Sequence, residues 1–265
     1  MLPLERNHMI CTDIISIIEH TYPTEAALEW DNVGLQVGRH SKDVSTIYIA
    51  LDLTDAVIED AILEGADMII THHPMIFSPI KSVTDGDLIG KRLIRLLQND
   101  ICYYAMHTNY DALGMAELAS EKLGLCDASV LEEIVLEGEG IGRVGNLKKE
   151  MSLEDCCKLV KTTFDIPDVK LYGDRNQMVQ RIAISPGSGK SMIRHALEKN
   201  AQVLIAGDFD HHSCLDAMDN GLAIIDAGHY GTEYMFVEDI ASFIREKFIG
   251  IATVVAPVHF PFETI

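Results

Sequence analysis

Basic residues are scarce in this 265-residue chain. Lysine and arginine number 21 against 41 aspartates and glutamates, which gives a formal net charge of −20. An acidic surface of this kind repels the phosphate backbone, which nucleic-acid-binding proteins neutralise with basic side chains. The charge therefore argues against nucleic acid as a partner, and it favours solubility and the capture of metal cations.

Long apolar runs and signal-like segments are also missing. No segment approaches the roughly 20 apolar residues of a membrane-spanning helix, and the start MLPLERNHMICTD lacks the basic and apolar regions of a secretory signal. The six cysteines show no CxxC spacing, which is typical of reduced, mostly buried thiols. We therefore expect a cytoplasmic protein with no membrane partner.

Short β-rich runs alternate with helical patterns, which predicts an α/β fold. The predicted elements of the first part are a helix over 8–20, a strand over 46–54, a helix over 55–66 with Asp55 as N-cap, the strands DMIITHH and ICYYAMHTNYD, and helices over 85–100 and 115–123. A Gly-rich turn at GEGIGRVG and a helix over 153–163 follow. No flexible linker interrupts this plan.

The second part of the chain repeats the first. A shift of 135 residues places the strand at Ile47 on the segment at Ile182, and the helix over 55–65 on KSMIRHALEKN. A shift of 122 aligns MHTNYD with GHYGTE. We therefore predict an internal duplication, with one α/β half over 1–130, a second over 131–265, and no large central insertion.

Histidines cluster where predicted strands end. His72 and His73 in THHP, His107 in HTNYD, His211 and His212 in GDFDHH, and His229 in GHYGTE all lie at or just beyond such an end. Ligands of open α/β sheets collect at the carboxyl ends of strands, so these side chains predict a metal site. Neighbouring side chains on an extended strand diverge, so we expect His72 and His73 to point apart.

Carboxylates accompany these histidines. His107–Asp111 and His229–Glu233 both have the form H-x-x-x-[DE], which brings an imidazole and a carboxylate to one face of a helical turn. A bridging carboxylate can hold two cations together. The nitrogen and oxygen donors suit Zn, Mn or Fe(II) and do not select one of them.

Two further segments offer ligand contacts. SPGSGKS, with Gly187 and Gly189, lies between a predicted strand and helix but lacks the full phosphate-binding loop pattern, so it either holds an anion on free N–H groups or packs tightly. EWDNVGLQVG carries the only tryptophan, Trp30, next to a predicted Asp31–Asn32 turn. Trp30 and Asn32 either line a substrate pocket or serve the structure.

Taken together, EWDNVGLQVG, THHP, HTNYD, GIGRVG, PGSGKS, GDFDHHS and IDAGHYGTE resemble, in this order, the Nif-three-like dinuclear metal-centre family. Its members are often labelled type-2 GTP cyclohydrolase I homologues. The resemblance runs over about residues 8–260. It implies two intertwined α/β halves and a toroidal homohexamer.

The resemblance also implies two divalent ions and a set of ligands. The family's ligand positions fall on His72, His73, Asp111, His229 and Glu233, with Glu233 bridging. His107 is implied as a further ligand or neighbour, and His212 as a residue beside the metals. Either histidine could carry protons in catalysis.

The implied reaction is metal-dependent hydrolysis, with opening of the imidazole ring of a purine nucleotide as the reaction that the family label suggests. Two alternatives remain open at this stage. One is a two-metal phosphoesterase or nucleotidase, and the other is a non-enzymatic metal-binding scaffold that contacts other proteins.

Overall fold

The computed structural model describes residues 9–134 and 138–265, and these form a mixed α/β fold. The strands are β1 (Met9–Ile10), β2 (Gly34–Val37), β3 (Asp43–Val44), β4 (Thr46–Ala50), β5 (Met68–Thr71), β6 (Cys102–Ala105), β7 (Cys126–Glu133), β8 (Gly140–Ser152), β9 (Lys170–Tyr172), β10 (Met178–Ser188), β11 (Val203–Gly207), β12 (Ala223–Asp226) and β13 (Ala252–Val255).

The helices are α1 (Cys11–Thr21), α2 (Asp55–Leu63), α3 (Leu88–Gln98), α4 (Thr108–Tyr110), α5 (Ala116–Leu123), α6 (Leu153–Phe164), α7 (Met192–Glu198), α8 (His211–Asp219), α9 (His229–Glu233) and α10 (Met235–Lys247). A 3₁₀ turn covers Thr24–Ala26, and a π-helical turn covers Asp111–Met115. The predicted first helix is confirmed from Cys11 onwards, and His8 lies outside the described residues.

The described chain divides into two compact units, each with its own central sheet. The first unit contains the residues up to Tyr110 and Phe236–Val258, and the second contains Asp111–Met235 and His259–Ile265. The first sheet has the order β13-β4-β5-β6-β2, and the second has the order β7-β8-β10-β11-β12-β9.

Each of the two sheets has three parallel strands at its centre, and these strands pair in the same register in both sheets, as the predicted duplication requires. In the first unit β4, β5 and β6 run parallel, and Ile47 pairs with Met68. In the second unit β10, β11 and β12 run parallel, and Ile182 pairs with Val203. Both pairs are related by the shift of 135. Each third strand is flanked by an antiparallel strand, β2 beside β6 and β9 beside β12.

The central strands are buried on both faces, so each reads as a continuous apolar run. Met68, Ile69 and Ile70 of β5 are fully buried, and so are Ile182–Ile184 of β10. Helices pack against these sheets, and in the first unit Ile58 of α2 and Leu96 of α3 belong to the buried core. Polar residues therefore appear only where the strands end, which is where the candidate site lies.

One local prediction was wrong, and another was correct only in part. Helix α2 is capped by Thr54, whose hydroxyl accepts from the N–H of Val57 at 3.1 Å, whereas Asp55 is the first helical residue. The GEGIGRVG segment turns only at Gly138, which has a φ of +81°, and Gly140 onwards belongs to β8. A Cβ at Gly140 would lie 2.0 Å from the carbonyl oxygen of Glu132 on the neighbouring strand, so this glycine serves close strand packing.

Among the described residues, no helix is both long and apolar enough to cross a membrane.

Candidate metal centre

Three histidines of the first unit form a cluster beyond the ends of β5 and β6. One ring nitrogen from each of His72, His73 and His107 lies within 4.8 Å of the others. The ring centroids of His72 and His73 are 4.9 Å apart, so the prediction that they point apart was wrong. The reason is that β5 ends at Thr71, and the two histidines therefore do not share an extended strand.

Each histidine of this cluster is held through Nδ1 by an oxygen atom. His72 Nδ1 lies 2.7 Å from the carbonyl oxygen of Met106. His73 Nδ1 lies 2.8 Å from Asp52 Oδ1, and His107 Nδ1 lies 2.9 Å from Asp31 Oδ1. Because carbonyl and carboxylate oxygens accept, the proton belongs on Nδ1 of each neutral ring. The lone pair is then on Nε2, as in metal-binding histidines.

Asp31 is the most firmly held of these oxygen partners. Its side chain is 0% exposed, and it also accepts from the N–H of Thr108 at 3.0 Å and from the Thr108 hydroxyl at 2.6 Å. Burial alone raises the pKa of this carboxyl, but the hydrogen bonds with His107 and Thr108 outweigh it and lower the pKa to about 2. Asp31 is therefore an anion at any physiological pH.

The second unit also carries a group of side chains that could bind a metal, and this group is richer in carboxylate. Helix α9 begins at His229, and its first turn places His229 Nε2 2.9 Å from Glu233 Oε2, as the i to i+4 spacing predicts. His229 Nδ1 lies 2.7 Å from Asp208 Oδ2. A carboxylate oxygen of Asp111 lies within 4.8 Å of one from Glu233, which is only 3% exposed. Imidazole and carboxylates thus converge here.

Gly187 leaves the room that the Glu233 carboxylate occupies. A Cβ at Gly187 would lie 2.1 Å from Glu233 Oε1, and the backbone there has a φ of +75°. Its N–H donates to the Thr232 hydroxyl at 3.1 Å. The N–H of Gly189 likewise donates to the carbonyl of Gly207 at 2.8 Å. Both N–H groups are engaged within the fold, so they do not support the anion-binding interpretation.

The remaining predicted site residues are Trp30, Asn32 and His212. Trp30 is 61% exposed, and its ring contacts that of His107 with centroids 5.9 Å apart. The Asn32 amide donates to the carbonyl of Ile76 at 2.6 Å, so it braces the backbone. His212 is exposed in the first turn of α8, and no metal-capable group found among the described residues includes it.

The sequence interpretation missed the oxygen partners of the histidines. Asp52 follows β4 and Asp31 belongs to the predicted Asp31–Asn32 turn, and each holds one histidine of the cluster. Asp208 lies in the GDFDHH segment, and its contact with His229 was not predicted. The sequence contains a signal for Asp52 and Asp208, namely a carboxylate at the end of a parallel strand. Asp208 directly follows β11, and Asp52 lies two residues after the end of β4.

The residues present suit a divalent metal. The donor atoms are imidazole nitrogens and carboxylate oxygens, a combination that matches Zn, Mn or Fe(II) and disfavours purely oxygen-seeking ions such as Ca²⁺. The oriented histidines and the buried Glu233 provide donors that are already positioned. These clusters of His, Asp and Glu could therefore bind metal ions.

The fold and the site together define an α/β protein with a candidate metal centre at the carboxyl ends of duplicated parallel strands. Residues 9–260 match the family described as Duf34/NIF3 (NGG1p interacting factor 3), and the chain belongs to this family. It is 35% identical over 242 residues to a Clostridium perfringens protein named GTP cyclohydrolase 1 type 2 homolog, covering 90% of this chain and 92% of that one.

Two further comparisons agree. A Methanocaldococcus jannaschii protein with the same name is 34% identical over 244 residues, which cover 90% of this chain and 96% of the relative. The crystal structure of a Bacillus cereus protein related to NIF3 superposes with a TM-score of 0.88 and 26% identity, covering 97% of this chain and 99% of that one. The predicted α/β fold and the family are thus confirmed.

Proposed function

We propose that this chain is a metal-dependent hydrolase with a dinuclear centre. The proposed ligands are His72, His73, Asp111, His229 and Glu233, with Glu233 bridging two divalent ions of the Zn, Mn or Fe(II) type. The observation that carries the proposal is the hydrogen bonding of the histidines. An oxygen atom holds Nδ1 of His72 and of His73, which leaves Nε2 of each ring to face a metal, and Nε2 of His229 faces the carboxylate of Glu233, a second proposed ligand.

Divalent ions bound by these residues would supply Lewis acidity, which activates water and polarises the bond under attack. The protein residues then orient the substrate and move protons. His107, fixed by the buried Asp31 carboxylate, and His212, exposed at the start of α8, are the proposed proton carriers.

The proposed substrate is a purine nucleotide, on the basis of the name carried by the relatives. In the proposed reaction the oxygen of water bonds to C8 of the base, the C8–N9 bond breaks, and N7 and N9 each gain one proton. The product is a formamidopyrimidine, and a second hydrolysis of its formamide releases formate.

The metal content is the first test. We expect elemental analysis of protein purified without chelator, or reloaded with Zn, Mn or Fe(II), to find close to two divalent ions per chain. In the Glu233→Gln variant we expect less than one, because a neutral amide bridges cations poorly. Glu238→Gln is the matched control, since Glu238 is exposed on α10. Wild-type protein that neither retains nor takes up metal would contradict the proposal.

The reaction is tested by incubating metal-loaded protein with GTP and with generic phosphoesters. Formamidopyrimidine or formate release, lost in Glu233→Gln and retained in Glu238→Gln, supports the proposal. Release of inorganic phosphate instead identifies a phosphoesterase. If neither product forms, and Glu233→Gln loses metal but keeps the protein partners of the wild type, the chain is a metal-binding scaffold and the enzymatic proposal fails.

A further inference from the structure

Two exposed aromatic side chains flank the histidine cluster of the first unit. Trp30 is 61% exposed and Phe77 is 53% exposed. Both rings contact the same imidazole edge-on, with centroids 5.9 Å from His107 for Trp30 and 5.8 Å for Phe77. Tryptophan is highly buried on average, so the exposure of the only tryptophan at this position is unusual.

The backbone that carries these rings is held firmly. Ile76, which precedes Phe77, receives a hydrogen bond from the Asn32 amide at its carbonyl and donates its N–H to Gln36 Oε1 at 3.1 Å. The Gln36 amide in turn donates to the carbonyl of Asn32 at 2.5 Å.

Trp30 directly precedes Asp31, whose buried carboxylate binds His107 and Thr108. The two segments are therefore tied to each other and to the cluster.

Preorganised, exposed aromatic rings beside a candidate metal centre match the requirements of ligand recognition. A planar ring can stack on an aromatic side chain at little entropic cost when that side chain is already fixed. Base stacking on aromatic residues is tolerant of base identity because every base has a π-face. A phosphate has no such face, so it would gain nothing from these two residues.

We infer that Trp30 and Phe77 form the recognition site for the planar heteroaromatic ring of the ligand and present that ring to the histidine cluster. This inference rests on the proposed function for its choice of a purine. It goes further by assigning ring recognition to two named side chains, and by assigning Asn32 and Gln36 the role of positioning residues that brace the Phe77 segment.

The test uses the full chain, because Trp30 is the only tryptophan and its fluorescence reports on this site alone. Metal-free and metal-loaded protein are titrated with guanosine, which carries the ring without phosphates. Ribose 5-phosphate and inorganic triphosphate are the controls without a ring. We expect guanosine to quench or shift the Trp30 emission in both forms of the protein, and the two controls to leave it unchanged.

Variants at Phe77 separate recognition from folding. Phe77→Leu should weaken guanosine binding about tenfold, whereas Phe77→Tyr keeps the ring and should bind as the wild type does. Leu97→Ala is the matched control, since Leu97 is an equally exposed apolar residue on α3. The metal content and the melting temperature of all three variants should equal those of the wild type.

Several results would overturn the inference. The first two are a Trp30 emission that guanosine leaves unchanged up to its solubility limit, and an equal change of the emission with triphosphate alone. The third is a Phe77→Leu variant that binds guanosine with wild-type affinity. The fourth is a protection of Trp30 from acrylamide quenching that increases with protein concentration. The last result would assign the two rings to contact between copies of the chain. Guanosine binding without GTP hydrolysis would overturn only the proposed function, and hydrolysis with wild-type binding in Phe77→Leu would overturn only this inference.

Discussion

At the scale of single residues, the candidate centre depends on contacts that a change of one or two atoms would disturb. Gly187 is the clearest case, because the Glu233 carboxylate occupies the space of its missing Cβ. Asp31, Asp52 and Asp208 are similar, since each fixes one ring through a single hydrogen bond. Loss of such an oxygen partner typically costs 10- to 100-fold in metal affinity.

We predict that Gly187→Ala lowers metal affinity by at least about tenfold, the range seen when the support of a ligand is lost. The added Cβ would have to displace the Glu233 carboxylate, which it would otherwise approach to 2.1 Å. Metal content after dialysis against a competing chelator is the measurement.

Gly221→Ala is the matched control for Gly187→Ala. Gly221 lies in the same unit and has a φ of +84°, but a Cβ there meets no atom within 4 Å. Both variants should therefore lose about 1 kcal/mol or more of stability from the left-handed backbone, and only Gly187→Ala should lose metal. Equal metal affinity in the two variants would rule out the steric explanation.

At the scale of elements, strand ends and helix starts position the site. Asp52, which holds His73, lies between the end of β4 and Thr54, the N-cap of α2. In the second unit the turn of α9 sets the distance between His229 and Glu233. The cap of α2 therefore orders the short connection that carries Asp52, and the turn of α9 itself orders His229 and Glu233.

We predict that Thr54→Ala lowers the free energy of unfolding by about 1 kcal/mol, because it removes the acceptor for the Val57 N–H at the start of α2. Thr54→Ser retains the hydroxyl and should retain most of the stability. Chemical denaturation of the full chain measures both variants. Equal destabilisation by Ala and Ser would show that the methyl group and not the cap matters.

At the scale of the whole molecule, the strong negative charge and the family resemblance bear on assembly. We propose, from the resemblance, that the chain forms a homohexamer. Light scattering at physiological salt should then give six times the 29.3-kDa chain mass. Because each chain carries −20, lowering the ionic strength should promote dissociation by reducing the screening of like charges. A monomeric mass at physiological salt would contradict the hexamer.

Much of the fold could be predicted because its signals are local. The apolar runs at Met68–Ile70 and Ile182–Ile184 predict buried strands, and their spacing revealed the duplication that the sheet registers later confirmed. The cap of α2 was mispredicted, and the turn before β8 was predicted too long, for a different reason. A hydroxyl one residue earlier competed with Asp55, and glycines that suit a turn also suit close strand packing.

By itself the sequence determined the α/β class, the repeat and the family, since residue type and spacing carry that information, and the resemblance to the family supplied the predicted ligands. Only the tertiary structure decided that His72 and His73 lie side by side, that Asp31 and Asp52 hold their partners, and that Trp30 and Phe77 flank one imidazole. The physical reason is that these contacts join residues from different strand ends. Their distances depend on how the strands pair, and spacing along the chain does not encode those distances.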